Sequence, residues 1–308
     1  MNQVKNSDLP HMNHRVYDKT AEPYAVISSG ETVSLDTNDA WSGVFTKNGV
    51  AEPELVELSE KLAAPATGPI VVKDSEPGDW LKIKINKLQP ANVGVAAIGD
   101  PVFLLNDRFG PPVQPFKARL ADVEDGCIIL NERVKIPVRP MIGTIGTTLA
   151  DEVQKIRYEG IWGGNLDAPT IGQGCELWLP VFTEGAYLYM GDCHARQGDG
   201  EILSPFEVSA HIELTVELVK AAEKSSVGKW PRIITDDAIE TVGVSNTFEK
   251  ATEIALGEMI DWLVAEYGFD QEDAAFFCGS VVDARPAAIV NHMTSARCVI
   301  AKEFLPKD

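Results

Sequence analysis

From residue 207 to 218 the chain alternates without a break. Val208, Ala210, Ile212, Leu214, Val216 and Leu218 take every second place, with Glu207, Ser209, His211, Glu213, Thr215 and Glu217 between them. Only an extended backbone sends successive side chains to opposite faces, so this stretch is a long strand with one apolar and one polar face. Such a strand needs hydrogen-bonded neighbours along its edges and a second layer over its apolar side. The chain is thereby committed to a sheet-based fold. On this reading Glu207 and His211 share the solvated face.

The rest of the sequence supplies the neighbours. Tyr24-Ala25-Val26-Ile27-Ser28 and Glu31-Thr32-Val33-Ser34-Leu35-Asp36 read as a hairpin around Ser29-Gly30. Ile70-Val71-Val72 precedes the turn sequence Glu76-Pro77-Gly78-Asp79, and Trp80-Leu81-Lys82-Ile83-Lys84-Ile85 then alternates apolar with basic. Further strands are expected at 127–130 and 134–138, and a last one at 298–301. Two glycines in the apolar run Met141-Ile142-Gly143-Thr144-Ile145-Gly146 signal close backbone approach to another strand or to a ligand.

Near residue 245 the period changes. Phe248, Ala251, Ile254, Ala255, Met259, Trp262 and Leu263 form a helical stripe, opened by a capping-box spacing from Asn246 to Glu249 and stopped by Gly268. Asp270 caps a shorter helix that ends at Gly279. The expected architecture is β-rich α+β: a β-sandwich-like core with a C-terminal helical insertion at about 246–279. Residues 1–24 are polar and read as a loosely attached N-terminal arm carrying His11 and His14, leaving 25–308 as a single domain.

A formal net charge of -19 disfavours binding to nucleic acid or to an anionic membrane surface. No apolar run approaches the ~20 residues that span a bilayer, and residues 1–10 lack the apolar core of a secretory signal. The five scattered cysteines suit reduced thiols and a cytoplasmic location.

The densest chemistry follows the apolar run Ala186-Tyr187-Leu188-Tyr189-Met190. In Gly191-Asp192-Cys193-His194 strand alternation sends Asp192 and His194 to one face and Cys193 to the other. Gly198 and Gly200 allow bends that fold Asp199 and Glu201 back over the strand end. One imidazole among several carboxylates is an oxygen and nitrogen donor set suited to a divalent metal. Cys193 faces away and sits beside an aspartate, so it reads as a structural thiol. Asp39, in an acidic loop, is either a turn cap or a carboxylate delivered to a distant site.

These motifs together resemble the acetamidase/formamidase family. The resemblance rests on Thr67-Gly68-Pro69-Ile70 with Glu76-Pro77-Gly78-Asp79, on the 141–146 segment, on Gly163-Gly164-Asn165-Leu166-Asp167, on Leu179-Pro180-Val181 and, most specifically, on residues 190–201. It covers about residues 25–305. It departs from the family pattern at 93–100 and at 147–150, where a substrate pocket is shaped. The resemblance implies a homo-oligomer, dimeric or built on dimers, that hydrolyses a short aliphatic amide of the formamide or acetamide type to carboxylate and ammonia. It also implies a divalent metal near the Asp-x-His element, zinc or alternatively calcium. On that footing Asp192 and His194 are expected to bind metal, with Asp39 as a distant ligand. Glu201 is the expected general base, and Asp199 or Asn165 positions the amide. The 143–146 and 163–164 backbones are candidates for holding the tetrahedral oxyanion. Two other readings are a cupin-like metal oxygenase and a non-catalytic ligand-binding sandwich. The first wants a second histidine two places after His194, where Arg196 stands.

Overall fold

The computed structural model describes residues 10–109, 115–223 and 228–306. Two sheets face each other. One has twelve strands and runs, along its main path, through Glu159–Gly160, Gly163–Asn165, Met141–Gly146, Leu188–His194, Glu207–Val208, Val93–Ile98, Lys117–Glu124, Cys127–Asn131 and Val134–Pro137. The other has eight strands, ordered Asp283–Ala288, Thr294–Ala301, Ala238–Ser245, Arg232–Ile234, Glu176–Pro180, Trp80–Pro90, Ala210–Val219 and Glu31–Thr37. Their inner faces share one core. Ile142, Ile145, Leu188 and Val208 meet Ile83, Ile85, Leu177, Ile212 and Leu214, all at most 1% exposed. Burying each such side chain contributes about 1.5–3 kcal/mol.

A third layer covers part of the eight-stranded sheet's outer side. The helices Phe248–Tyr267 and Gln271–Val281 pack Ala255, Met259, Trp262, Leu263 and Cys278 onto Ile239, Cys298 and Ile300. Thr247, not Asn246, caps the first helix by accepting from Lys250 N, and Gly268 ends it in the left-handed conformation. Asp270 caps the second, which runs two residues past Gly279 to Val281. The β-rich sandwich with C-terminal helices is thus the fold.

Three expectations change. First, the long alternating strand is two strands in different sheets. Glu207–Val208 pairs with Leu188–His194 in the twelve-stranded sheet, and after Ser209 the Ala210–Val219 strand joins the eight-stranded one. Alternation persists across the break because the apolar residues face the shared core on both sides of it. The polar face does not share one environment: His211 is part-exposed and pairs with Asp36, while Glu207 is buried. Second, Ala25–Ile27 and Glu31–Thr37 do not pair as a hairpin. A turn at Gly30 separates them, and the former runs parallel to Ala66–Val72 while the latter lies along Ala210–Val219. Third, the described part of the N-terminal arm is tied down. His14 bridges to Ala66 and Val16 to Lys155, and Tyr17 is fully buried against Tyr189.

Candidate active site

The Leu188–His194 strand lies inside its sheet, and all seven of its residues are buried. At Asp192 the backbone takes φ 55°, a left-handed conformation that aspartate tolerates. The Asp192 carboxylate still falls on the His194 side, with Oδ1 3.8 Å from His194 Nε2. The neighbouring strand leaves room by carrying Gly143, where a Cβ would lie 2.5 Å from Asp167 Oδ1 and 2.6 Å from the Asp192 carbonyl oxygen. Only glycine permits that approach.

Strand pairing brings in an acid the sequence hid. Glu207 stands opposite His194 in register, and its Oε2 lies 3.0 Å from His194 Nε2. A second unassigned acid, Asp167, arrives just after the Gly163–Asn165 strand, with its amide bonded to the Gly143 carbonyl. Glu201 folds back as expected, through Gly200 at φ 92° and its own φ of 48°, and is 7% exposed. Two triplets result, Asp167 with His194 and Glu201, and Asp192 with His194 and Glu207. Within each, the potential ligand atoms lie within 4.8 Å of one another.

The other expected residues lie elsewhere. Asp199 turns to Arg297, 2.5 Å from Nη2, and that fully buried guanidinium also holds Glu240 at 2.8 Å. Asp39 is a turn cap, its carboxylate accepting from Trp41 N at 2.9 Å and Gly43 N at 3.0 Å. It lines a separate cleft of about 1080 Å³ together with Asp36, Gly94 and His211. Asn165 does adjoin the cluster: its Oδ1 accepts from Thr144 Oγ1, which lies 3.4 Å from Asp192 Oδ2. Cys193 points away toward Thr37 Oγ1 at 3.6 Å, and burial pushes its thiol up to about 12. Gly146 and Gly163–Gly164 lie in paired strands, Ile145 opposite Gly164 and Gly146 opposite Gly163, where their bareness admits close strand-to-strand contact.

The cluster is short of positive charge. Burial raises the Asp167 carboxyl to about 6, helped by the charge of Asp192, and raises Glu207 to about 8 against the pull of His194. Burial likewise holds Glu201 well above the ordinary carboxylate range, with Asp167 adding to it. For His194 burial works the other way, but Glu207 and Asp192 outweigh it and keep the imidazole's pKa high. His194 Nδ1, Asp167 Oδ1 and Glu201 Oε2 are buried without a hydrogen-bond partner, while His194 Nε2 and Glu207 Oε2 face each other at 3.0 Å as an ion pair. Orphaned polar atoms carry a desolvation cost that a divalent cation among them would offset. The donor chemistry fits a divalent cation.

Comparison with known proteins identifies the class first. The fold is that of solved acetamidases. The acetamidase of Bacillus halodurans matches with a TM-score of 0.87 at 29% identity, over 95% of this chain and 96% of that one. A protein described as a predicted acetamidase/formamidase from Thermoanaerobacter tengcongensis matches at 0.85 and 30% identity, over 94% and 93%. The model of the Acetamidase/Formamidase family matches residues 156–308. The chain belongs to the acetamidase/formamidase family. Among curated relatives, the acetamidase of Mycolicibacterium smegmatis is 39% identical over 88 residues, which are 25% of this chain and 22% of that protein. The chain thus matches about a fifth of the length of that relative.

Proposed function

We propose that the protein is an amidohydrolase that cleaves the C–N bond of a short aliphatic amide to carboxylate and ammonia, with a divalent metal held by the buried acids around His194. The observation that carries this reading is the pair of triplets sharing that imidazole, inside an acetamidase fold. Asp192, His194 and Glu207 make one ligand set, and Asp167 adds a ligand from the other side, with Glu201 beside it. Bound there, zinc or calcium supplies Lewis acidity, lowering the pKa of water from about 15.7 toward about 7 and polarising the amide carbonyl.

The chain's own residues do the rest. Glu201 accepts the proton of the attacking water and returns it to the departing nitrogen, which leaves as ammonia rather than as amide anion. Asn165, beside Asp192 through Thr144, orients the substrate's carboxamide by hydrogen bonding. Burial of the cluster excludes bulk water and strengthens each electrostatic contact. The five free cysteines support a reducing, cytoplasmic setting. No helix among the described residues is long and apolar enough to cross a membrane. Assembly as a homo-oligomer rests on the family resemblance and is read by light scattering.

The test is ammonia release from formamide, acetamide and propionamide by chelator-treated protein, alone and with zinc or calcium restored, beside metal analysis of the untreated protein. Expected is restored turnover on at least one amide and about one or two ions per chain. Absence of turnover across the panel and of bound metal refutes the proposal.

A further inference from the structure

The site sits in the twelve-stranded sheet, yet the segment fastened over it comes from the other sheet. Residues 289–293 connect the Asp283–Ala288 and Thr294–Ala301 strands of the eight-stranded sheet. This connection is held at three points around the cluster. Gly200, immediately before Glu201, donates its N–H to the Ala287 carbonyl at 3.0 Å and accepts from Ile289 N at 3.0 Å. Met293 N donates to Glu159 Oε1 at 2.5 Å. Between them, Asn291 Nδ2 donates to Asp167 Oδ2 at 2.5 Å and to the Asn165 carbonyl oxygen at 3.0 Å.

We propose that Asn291 is a positioning residue: it fixes the Asp167 carboxylate so that its other oxygen faces His194 and Glu201. The proposal rests on the reading of this cluster as a metal-holding catalytic site. The geometry divides the two oxygens of Asp167. Oδ2 is engaged by the Asn291 amide, while Oδ1 is buried without a partner. One bond to Oδ2 and a second to the Asn165 backbone fix the amide plane, so the carboxylate cannot swing without losing a partner. A ligating carboxylate oriented by an outer hydrogen bond is a general device of metal sites, and loss of such a bond lowers metal affinity or activity about 10–100-fold. The same connection brackets Gly200, so the two carboxylates of the Asp167–His194–Glu201 triplet are set by one segment of chain.

The experiment compares wild type with Asn291→Ala and Asn291→Asp. Each is assayed for zinc and calcium dissociation constants by competition with a fluorescent chelator, for kcat and KM on the best amide, and for melting temperature without metal. Asn291→Ala is expected to weaken the tighter-bound ion about 10–100-fold and lower kcat to a similar extent, with KM within about twofold. Asn291→Asp is nearly isosteric and keeps the turn's packing, which alanine gives up; it replaces the donor with a carboxylate against Asp167 and is expected to lose more than alanine. A metal-free melting temperature close to wild type separates positioning from general stability. Wild-type metal affinity and kcat in either folded variant overturn the proposal. If wild type binds metal but hydrolyses no amide, the functional reading fails while the affinity comparison still decides the role of Asn291. If wild type does neither, both fall.

Discussion

At the scale of the residue, His194 and Cys193 are neighbours with opposite fates, because the strand sends one into the acidic cluster and the other into the core. His194→Ala is expected to abolish bound metal and amide hydrolysis together, since the imidazole belongs to both triplets. Cys193→Ala is expected to keep both and to cost roughly 1 kcal/mol of stability for a sulfur-sized void. Metal content and turnover of the two purified variants check this; an active, metal-free His194→Ala protein contradicts it. Glu201→Gln should retain the fold but lower kcat about 10²–10⁴-fold, the usual contribution of a general base. The sequence showed Asp192, His194 and Glu201 because strand alternation and glycine bends are local. It hid Asp167 and Glu207, since one depends on Gly143 admitting it and the other on the partner strand's register. Asp199 misled because its carboxylate is drawn to Arg297, almost a hundred positions away in sequence, and no spacing rule reports that.

At the scale of the element, helices and single strands were legible and their pairings were not. Periodicity places side chains on faces but says nothing about which sheet a strand enters. So the 207–218 run looked like one strand, although the chain changes sheets at Ser209. It also made the 24–36 region look like a hairpin, although its two strands part company. One contact between elements makes a sharp test. Gly243, in the Ala238–Ser245 strand, lies against the Phe248–Tyr267 helix so closely that a Cβ would sit 2.1 Å from the Ala251 carbonyl oxygen and 2.7 Å from Ala255 N. Gly243→Ala must push the helix outward, at a cost of about 1–3 kcal/mol or more. Denaturant unfolding should show the loss, and metal affinity should be unchanged, because this contact is in the helical layer and not at the cluster.

For the whole molecule, the buried acids make stability depend on pH. Burial raises Asp167 to about 6, and Glu159 and Glu207 to about 8, from ordinary values of 3.8 and 4.5. A group whose pKa is higher in the folded state stabilises it fully below the unfolded pKa. That contribution disappears as pH rises through the folded pKa. His194, raised by Glu207 and Asp192 against its burial, has the same sign. Chelator-treated protein should therefore lose melting temperature steadily from about pH 4 to pH 8. Metal-loaded protein should show a flatter profile, because a cation replaces the protons that the cluster otherwise needs. Scanning calorimetry across that range checks both curves, and a rising curve for the metal-free protein contradicts the account.

Asp167 and His194 are 0% exposed and Glu207 4%. Asp192 and Glu201, at 6% and 7%, are the members of the cluster nearest to solvent. The turn between the last two strands holds Asp167 through Asn291, so an ion seated there is expected to escape at the pace at which that turn loosens. Stripping by excess chelator should then run at a rate indifferent to how much chelator is added, and should quicken when the turn is loosened.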